Sequence, residues 1–291
     1  MSVQKGLVQH RSSSPFTPRL ASQLVNGFLS GFTLLITFLL FFPILWMILT
    51  SFKTEADAFV FPPKFIFVPT LDNWQNALQN SPYLRHLTNT LIITIVATLF
   101  AILLGFLAAY KLAFYPGKRA NATLMWMMGT RMLPPVGVIV PLYVIFKALS
   151  LQDTHLGLIL LYTAVNLPLV IWMLRSFMLD LPYETIEASR IDGATLMQEL
   201  RLVIVPLVLP GLISTMLLCL VFTWNEFFLA FNLTVSKAAP LSVYIASFKT
   251  SEGLFWAKMS AAATLTVAPV IIAGWVAQKQ LVRGLTAGAI K

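Results

Sequence analysis

Apolar residues gather into six long runs along the chain, and short polar or proline-rich segments separate these runs. A helix of about 20 residues crosses the hydrocarbon core of a bilayer at 1.5 Å per residue. Barrel strands would be about 10 residues long and would alternate in polarity, a pattern that these runs do not have. We therefore predict six membrane-spanning helices, at residues 28–51, 87–110, 122–146, 156–174, 206–231 and 259–277.

The segments around these runs set the predicted domain organisation. We expect the first run to be a retained span, because a cleaved signal peptide has a shorter apolar core of about 7 to 15 residues. An even number of spans places both ends of the chain on one side. We predict an N-terminal tail at residues 1–27, a six-helix transmembrane domain at residues 28–281 and a C-terminal tail at residues 282–291.

Composition indicates that lipid, rather than water, is the solvent of this chain. Of its 291 residues, 58% are hydrophobic and 11% are charged, whereas about a quarter are charged in soluble domains. The net charge of +9 is distributed beside the apolar runs, which favours anchoring to acidic headgroups over nucleic-acid binding. The single cysteine, Cys219, lies inside an apolar run and has no partner for an intrachain disulfide.

The distribution of lysine and arginine predicts the orientation. The side that holds both tails carries 12 of these residues and the opposite side carries seven, so both termini are predicted to be cytoplasmic. The longest connection on the opposite side, residues 52–86, contains several prolines and is predicted to form short amphipathic pieces joined by turns. This connection is a candidate surface for an extracytoplasmic partner.

The polar segment 180–211 carries the clearest chemistry. Pro182 suits the first turn of a helix, Glu184 and Glu187 complement its positive end, and Gly193 can adopt the left-handed conformation that ends it. A second helix is predicted at residues 195–205. Two short helices joined by a glycine turn would form a knob that projects from the membrane and fits a groove of another protein. The alternative is an ordinary amphipathic connection that lies on the membrane surface.

This segment resembles the E-A-A…G loop of permease subunits of binding-protein-dependent ABC importers. The match comprises Glu187-Ala188-Ser189, Asp192-Gly193-Ala194 and Pro206, with Ser189 in place of the usual alanine. Over nearly the whole chain the sequence is similar to carbohydrate permeases of the maltose-transporter type. The stretches FFPILWMILTSFKTEADAF, RMLPPVGVIVP, WNEFFLAFNLT and EGLFWAKMSAAATL look most like sorbitol and mannitol permeases.

The resemblance implies the type I ABC importer permease fold in a bacterial cytoplasmic (inner) membrane. It implies a second homologous permease, an ATPase dimer and an extracytoplasmic solute-binding protein as partners. The connection 180–205 would be the coupling loop, and residues 284–291 would reach towards the ATPase. The ATPase-coupling residues would be Glu187, Ala188, Ser189, Asp192, Gly193 and Ala194.

The sequence offers no catalytic machinery of its own. It lacks a G-x-x-x-x-G-K-[ST] phosphate loop, so we expect ATP hydrolysis in partner subunits. His10, His86 and His155 lie in the tail or at span edges, without the spacing of a metal site or a triad. We therefore predict a non-catalytic subunit without a metal or another cofactor.

Two charges inside predicted spans are candidates for the translocation pathway. A charge at membrane depth costs about 3 kcal/mol on insertion scales, so Arg131 and Glu226 are expected to face protein or water. Pro134-Pro135 predicts a kink or an unwound segment after Arg131. Trp224 and Asn225 supply an aromatic face and a hydrogen-bonding amide beside Glu226. Alternatively, Glu226 lies near the outer interface or pairs with the second permease.

The predicted function is import of a sugar alcohol, such as sorbitol or mannitol, or of a related carbohydrate, driven by a separate ATPase. The first alternative is an importer of another mono- or oligosaccharide. A self-sufficient secondary transporter is less favoured, because repeated halves and a resident ion site are not evident in the sequence.

Overall fold

The computed structural model describes residues 18–250 and 253–287. Most of the predicted N-terminal tail, 1–27, lies outside the described residues, as do residues 288–291 of the predicted C-terminal tail. The chain divides into two units, residues 1–49 and residues 50–291. The first unit holds most of helix α1 (Pro18–Ser51), which contains the apolar stretch Val25–Ser51.

The second unit is built almost entirely of helices. In chain order they are α2 (Glu55–Phe59), α3 (Asp72–Gln79), α4 (Tyr83–Phe114), α5 (Ala120–Arg131), α6 (Pro135–Ala148), α7 (His155–Leu179), α8 (Tyr183–Ile191), α9 (Leu196–Gln198), the π-helical segment π1 (Glu199–Ile204), α10 (Val205–Asn225), α11 (Phe228–Leu233), α12 (Leu241–Ala246) and α13 (Trp256–Ala287). Between α12 and α13, strands β1 (Lys249–Thr250) and β2 (Gly253–Leu254) form a small antiparallel hairpin. The predicted all-α class is confirmed, with this hairpin as an addition.

The predicted spans correspond to long apolar helices. Within residues 18–250 and 253–287, five helices are long and apolar enough to cross a membrane, and the bent pair α5–α6 makes six if it counts as one crossing. The five stretches are Val25–Ser51, Tyr83–Phe114, His155–Leu179, Leu196–Asn225 and Trp256–Gln278. They agree with the predicted runs to within a few residues at most ends, because apolar length dominates the pattern.

The third span is sharply bent at the predicted place. Helices α5 and α6 meet at 90° across residues 132–134. Pro134 has an extended backbone and Pro135 begins α6. A proline has no N–H to donate and moves the preceding residue out of the helical region, so this pair ends one helix and starts another. The predicted kink is therefore confirmed.

The fifth span ends earlier than predicted. The expected run continued to residue 231, but α10 ends at Asn225 and the short helix α11 begins at Phe228. The predicted boundary is wrong because the run was continued across the polar pair Asn225-Glu226, which is flanked by apolar residues on both sides. The beginning of this span has a π-helical segment, π1, in place of regular α-helix.

Small residues allow the central helices to pack closely. A Cβ atom added at Gly105 of α4 would lie 2.5 Å from a methyl group of Val170 in α7. A Cβ atom added at Gly211 of α10 would overlap the ring of Phe177 in α7. Glycines at such contacts let helix backbones approach one another, as is common within membranes. Helix α7 thus forms the centre of a packed group with α4 and α10.

The connection 52–86 forms the predicted short pieces, and hydrogen bonds hold them together. Asn73 Nδ2 donates to the carbonyl oxygens of Ser51 and Lys53 at 3.0 and 2.7 Å. The carboxylate of Glu55 accepts from the backbone N–H groups of Ala257 and Lys258 at 3.1 and 3.0 Å. This carboxylate complements the positive N-terminal end of α13 and ties the connection to the last span.

Candidate functional site

The connection 180–205, which the resemblance predicts to be the coupling loop, folds as a short helix, a glycine turn and a second helix. Pro182 precedes α8, as expected for a residue that suits a helix start. Gly193 has φ = +81°, and its N–H donates to Arg190 O at 3.1 Å to close the turn. Thr195 then caps α9 in a reciprocal arrangement with Gln198. The predicted helix–glycine–helix shape is confirmed.

The residues predicted to contact the ATPase lie mostly on the outside of this loop. Exposed positions are Glu187, Ala188, Asp192 and Gly193, while Ser189 and Ala194 are half-buried. The Ser189 hydroxyl donates to Ile186 O at 2.7 Å, so the serine that departs from the family pattern is bonded within its own helix. Ile191 is 80% exposed beside these polar groups. The loop thus presents a mixed polar and apolar surface away from the helices.

The inner side of α8 is fixed by one fully buried residue. Ile186 is 0% exposed and belongs to a cluster formed by α4, α7, π1 and α10. The cluster also includes Met178, Leu200 and Ile204. Burying an isoleucine side chain stabilises this contact by about 1.5–3 kcal/mol relative to exposure to water. The knob therefore has an exposed outer surface on an anchored base.

A polar group that the sequence analysis did not identify lies beside this anchor. Arg190 Nε and Nη2 donate to the two carboxylate oxygens of Glu199 at 2.9 and 3.0 Å. Tyr110 in α4 donates its hydroxyl hydrogen to Glu199 Oε1 at 2.7 Å. These hydrogen bonds with Glu199, and the further contact with Tyr110, raise the pKa of the Arg190 guanidinium. Glu199 and Tyr110 are 89 positions apart, so no local pattern links them.

Arg131 is the last residue of α5 and lies at the bend of the third span. Its guanidinium carbon is 5.2 Å from the centre of the Phe222 ring in α10, a cation–π geometry. Within the described part of the chain, Nη1 is buried and has no hydrogen-bond partner. This predicted pathway residue is therefore at a break in the backbone and packs on an aromatic side chain.

Glu226 lies at the other break, between α10 and α11. Its carboxylate accepts from the hydroxyl of Tyr162 in α7 at 2.6 Å. It also accepts from the backbone N–H groups of Leu229 and Ala230 at 2.8 and 3.1 Å, which are at the start of α11. Glu226 therefore supports the short helix electrostatically and holds it against α7.

The neighbours of Glu226 differ in exposure. Trp224 is 6% exposed and packs in a cluster with Tyr83, Leu241 and Tyr244. Asn225 is exposed, and its amide donates to Val221 O at 2.9 Å. Arg131 and Glu226 each contact a different neighbour, so the hydrogen bonds and ring contacts do not join the four predicted pathway residues into one cluster.

Asn166 and Pro168 do not break the fourth span. Helix α7 continues through Pro168, so Asn166 lies inside a continuous helix and does not cap a broken span. Instead, Asn166 Nδ2 donates to Tyr162 O within α7 and to Thr223 Oγ1 in α10, both at 2.9 Å. The Asn166 amide therefore joins α7 to α10 and also donates to a carbonyl oxygen within α7.

A further carboxylate, Asp153, organises the connection that follows α11. Its oxygens accept hydrogen bonds from the backbone N–H groups of residues 235–238, at 3.0 to 3.2 Å. Partial burial raises the pKa of this carboxyl, but the four backbone donors outweigh that effect and hold it below its ordinary value. Asp153 thus fixes residues 235–238 against the turn between α6 and α7.

The histidines with described side chains make structural contacts. His86 Nδ1 is 2.7 Å from Ala239 O, and His155 Nε2 is 2.7 Å from Asn89 Oδ1. His10 lies outside the described residues. Among the residues that the structure describes, no group of three histidine, cysteine or acidic residues is arranged to hold a metal ion.

Comparisons with known proteins give consistent results. The family model described as binding-protein-dependent transport system inner membrane component matches residues 101–286. The trehalose transport system permease protein SugB of Mycobacterium tuberculosis is 36% identical, with 86% of this chain and 92% of that protein covered. The sulfoquinovosyl glycerol transport system permease protein SmoH of Agrobacterium fabrum is also 36% identical, with coverages of 86% and 88%.

The fold also matches a solved structure. A chain of a bacterial ABC transporter involved in import of the acidic polysaccharide alginate superimposes with a TM-score of 0.73 and 22% identity. The superposition covers 91% of this chain and 99% of that chain. This likeness shows that the two chains share the same helical fold.

Proposed function

The chain belongs to the family of binding-protein-dependent transport system inner membrane components, and we propose that it forms, with a second homologous permease, the membrane pathway of a carbohydrate importer. A separate ATPase dimer supplies the energy, and an extracytoplasmic solute-binding protein delivers the solute. This subunit catalyses no covalent reaction. Both termini and the coupling loop face the cytoplasm, as the excess of lysine and arginine on that side favours.

The coupling loop is the observation that carries this proposal. Its outer surface exposes Glu187, Ala188, Asp192 and Gly193, and its base is anchored by buried Ile186. A knob with an exposed mixed surface fits a groove of a partner, whereas a surface helix in the headgroup layer would bury its apolar side in lipid. ATP then acts by favouring one of two global states of the ATPase, and the loop transmits that preference to the pathway.

The pathway passes the two backbone breaks. Irregular backbone at membrane depth is tolerated where it is buried in protein or lines a water-filled cavity. Arg131 ends α5 at one break, and Glu226 follows α10 at the other. Together with the exposed Asn225, these residues supply hydrogen-bonding groups of the kind that recognise a carbohydrate, while the ring of Trp224 next to them is packed against its neighbours in this structure.

The transported solute is a carbohydrate, and a sugar alcohol such as sorbitol or mannitol is our specific proposal. It is supported by the sequence stretches that resemble polyol permeases, among them RMLPPVGVIVP and WNEFFLAFNLT. The relatives SugB and SmoH are named for trehalose and sulfoquinovosyl glycerol, so a glycoside is the second candidate. All of these solutes present several hydroxyl groups.

Uptake by the complete complex in vesicles tests the proposal. The complex contains both permeases, the ATPase dimer and the solute-binding protein, and labelled sorbitol, mannitol and trehalose are compared. We expect uptake that requires both ATP and the binding protein. Uptake driven by an ion gradient alone would refute the assignment to this class, and uptake of trehalose without either polyol would refute only the specific solute.

A further inference from the structure

The contacts of Arg190, Glu199 and Tyr110 join three separate elements at the base of the coupling loop. We propose that these three side chains are positioning residues that make α8, π1 and α4 move as one body. This inference rests on the proposed function, because it concerns how motion of the ATPase reaches the membrane helices. It adds α4 to the path, although α4 is distant in sequence from the loop.

The geometry makes the link between α8 and π1 directional. Arg190 contacts both carboxylate oxygens of Glu199 through two different nitrogens, at 2.9 and 3.0 Å. Such a paired contact fixes the relative angle of the two groups as well as their distance. The side chain of Glu199 is only 4% exposed, and that of Arg190 is 28% exposed. Water therefore competes little for the carboxylate.

Tyr110 extends the link to α4. Its hydroxyl donates to Glu199 Oε1 at 2.7 Å and lies 3.4 Å from Arg190 Nη2. Near it, the Arg190 guanidinium is 5.2 Å from the centre of the Tyr115 ring, just after α4. Each element thus has a polar contact with the other two, so none of the three can rotate without breaking a hydrogen bond to a largely buried charge.

The surrounding backbone explains why such a link is needed. Helix α8 is short, Tyr183–Ile191, and turns at Pro182 and Gly193 connect it to its neighbours. Its apolar anchorage is one fully buried residue, Ile186, and a single apolar contact leaves rotation about that point open. The directional contacts of Arg190 remove this freedom. A push on the outer surface of α8 is then transmitted to α4 and α10 rather than absorbed by local rotation.

The test compares the number of solute molecules imported per ATP hydrolysed by the reconstituted complex. The variants are Arg190→Gln, Glu199→Gln and the two together, and Lys118→Gln, an exposed residue in the connection before α5, is the control. We expect the ATPase to remain bound and active, while the solute-to-ATP ratio falls at least about fivefold, the lower end of typical coupling effects. The double variant should be no worse than the single ones, because all three disrupt the same link.

Tyr110→Phe resolves the case in which the charge variants fail to assemble. This variant keeps the ion pair and removes the contacts of the Tyr110 hydroxyl with Glu199 and Arg190, which link α4 to the pair. A reduced ratio with normal ATPase binding supports the inference. A wild-type ratio in Tyr110→Phe, or in the assembled charge variants, overturns it. Parallel loss of ATPase binding and uptake in the charge variants, with an unchanged Tyr110→Phe, identifies a merely structural role and also overturns it.

The same experiment separates failure of this inference from failure of the proposed function. Absence of ATP-dependent uptake by the wild-type complex would refute the function, and the inference would fall with it. Normal wild-type uptake together with unchanged ratios in the variants would refute only the positioning role.

Discussion

The hydrogen bonds of Glu226 predict that this carboxylate holds the break in the fifth span in place. Glu226→Ala removes three contacts, from the Tyr162 hydroxyl and from the N–H groups of Leu229 and Ala230. Hydrogen bonds to a charged acceptor contribute about 1.5–3 kcal/mol each. The loss of all three is partly offset where water can replace the carboxylate, but Tyr162 is only 2% exposed. We expect a net destabilisation of about 3–5 kcal/mol.

Thermal unfolding of the purified complex in detergent measures this effect. A loss of that size should lower the melting temperature by roughly 10 °C in a protein of this length. Glu226→Gln retains one acceptor oxygen and should lose about half as much stability. Asn232→Ala is the matched control, because Asn232 makes one hydrogen bond, to Phe228 O at 2.7 Å, within the same short helix. Its variant should change the melting temperature little.

A double-variant comparison identifies the partner. Tyr162→Phe and Glu226→Gln should be markedly non-additive, because each disturbs the contact of 2.6 Å between the two side chains. If Glu226→Ala melted at the same temperature as Asn232→Ala, the reasoning from hydrogen bonds would be refuted. A loss of uptake in Glu226→Gln without any loss of stability would instead favour direct contact with the solute.

Three further variants test other parts of the structure. Gly193→Pro cannot adopt φ = +81°, so it should insert normally but weaken ATPase docking and uptake, and normal ATPase co-purification would contradict the docking model. Gly211→Ala places a methyl group against the Phe177 ring and should lower the free energy of unfolding, measured by thermal melting, by about 1–3 kcal/mol. Gly274→Ala is its control, because a Cβ atom at Gly274 meets open space, and it should leave the stability unchanged. Asp153→Asn should destabilise the protein near neutral pH. The lowered pKa of the Asp153 carboxyl means that its charged form stabilises the fold at pH values above the ordinary pKa of 3.8. This contribution is lost as the pH falls through the pKa of the folded state. The difference in melting temperature between this variant and the wild type should therefore shrink on acidification, and a constant difference would contradict the assignment.

The sequence predicts the spans well because their physical requirement is simple. A segment that crosses lipid must be apolar and about 20 residues long, and that property is local. The bend after Arg131 is predictable for a similar reason, since Pro134 and Pro135 act on their own backbone. The turn at Gly193 likewise depends on one residue type. These features require no knowledge of distant contacts.

The breaks and links that depend on tertiary contacts are not predictable in this way. Just after the end of α10 at Asn225, Glu226 contacts Tyr162 of α7, and this contact between distant positions has no local sequence signal. The contact between Glu199 and Tyr110 joins positions 89 residues apart. The sequence signal for Glu199 is weak: it is an acid close to Met197 and Leu200, at the start of the apolar run that follows.

The buried state of Cys219 has a practical consequence. It is the single cysteine of the chain, it is 0% exposed, and it lies deep in the packed part of α10. Thiol-reactive dyes and spin labels should therefore leave the wild-type protein almost unlabelled under native conditions. One cysteine introduced on the outer surface of α8 would then report distances to a partner without replacement of the native thiol.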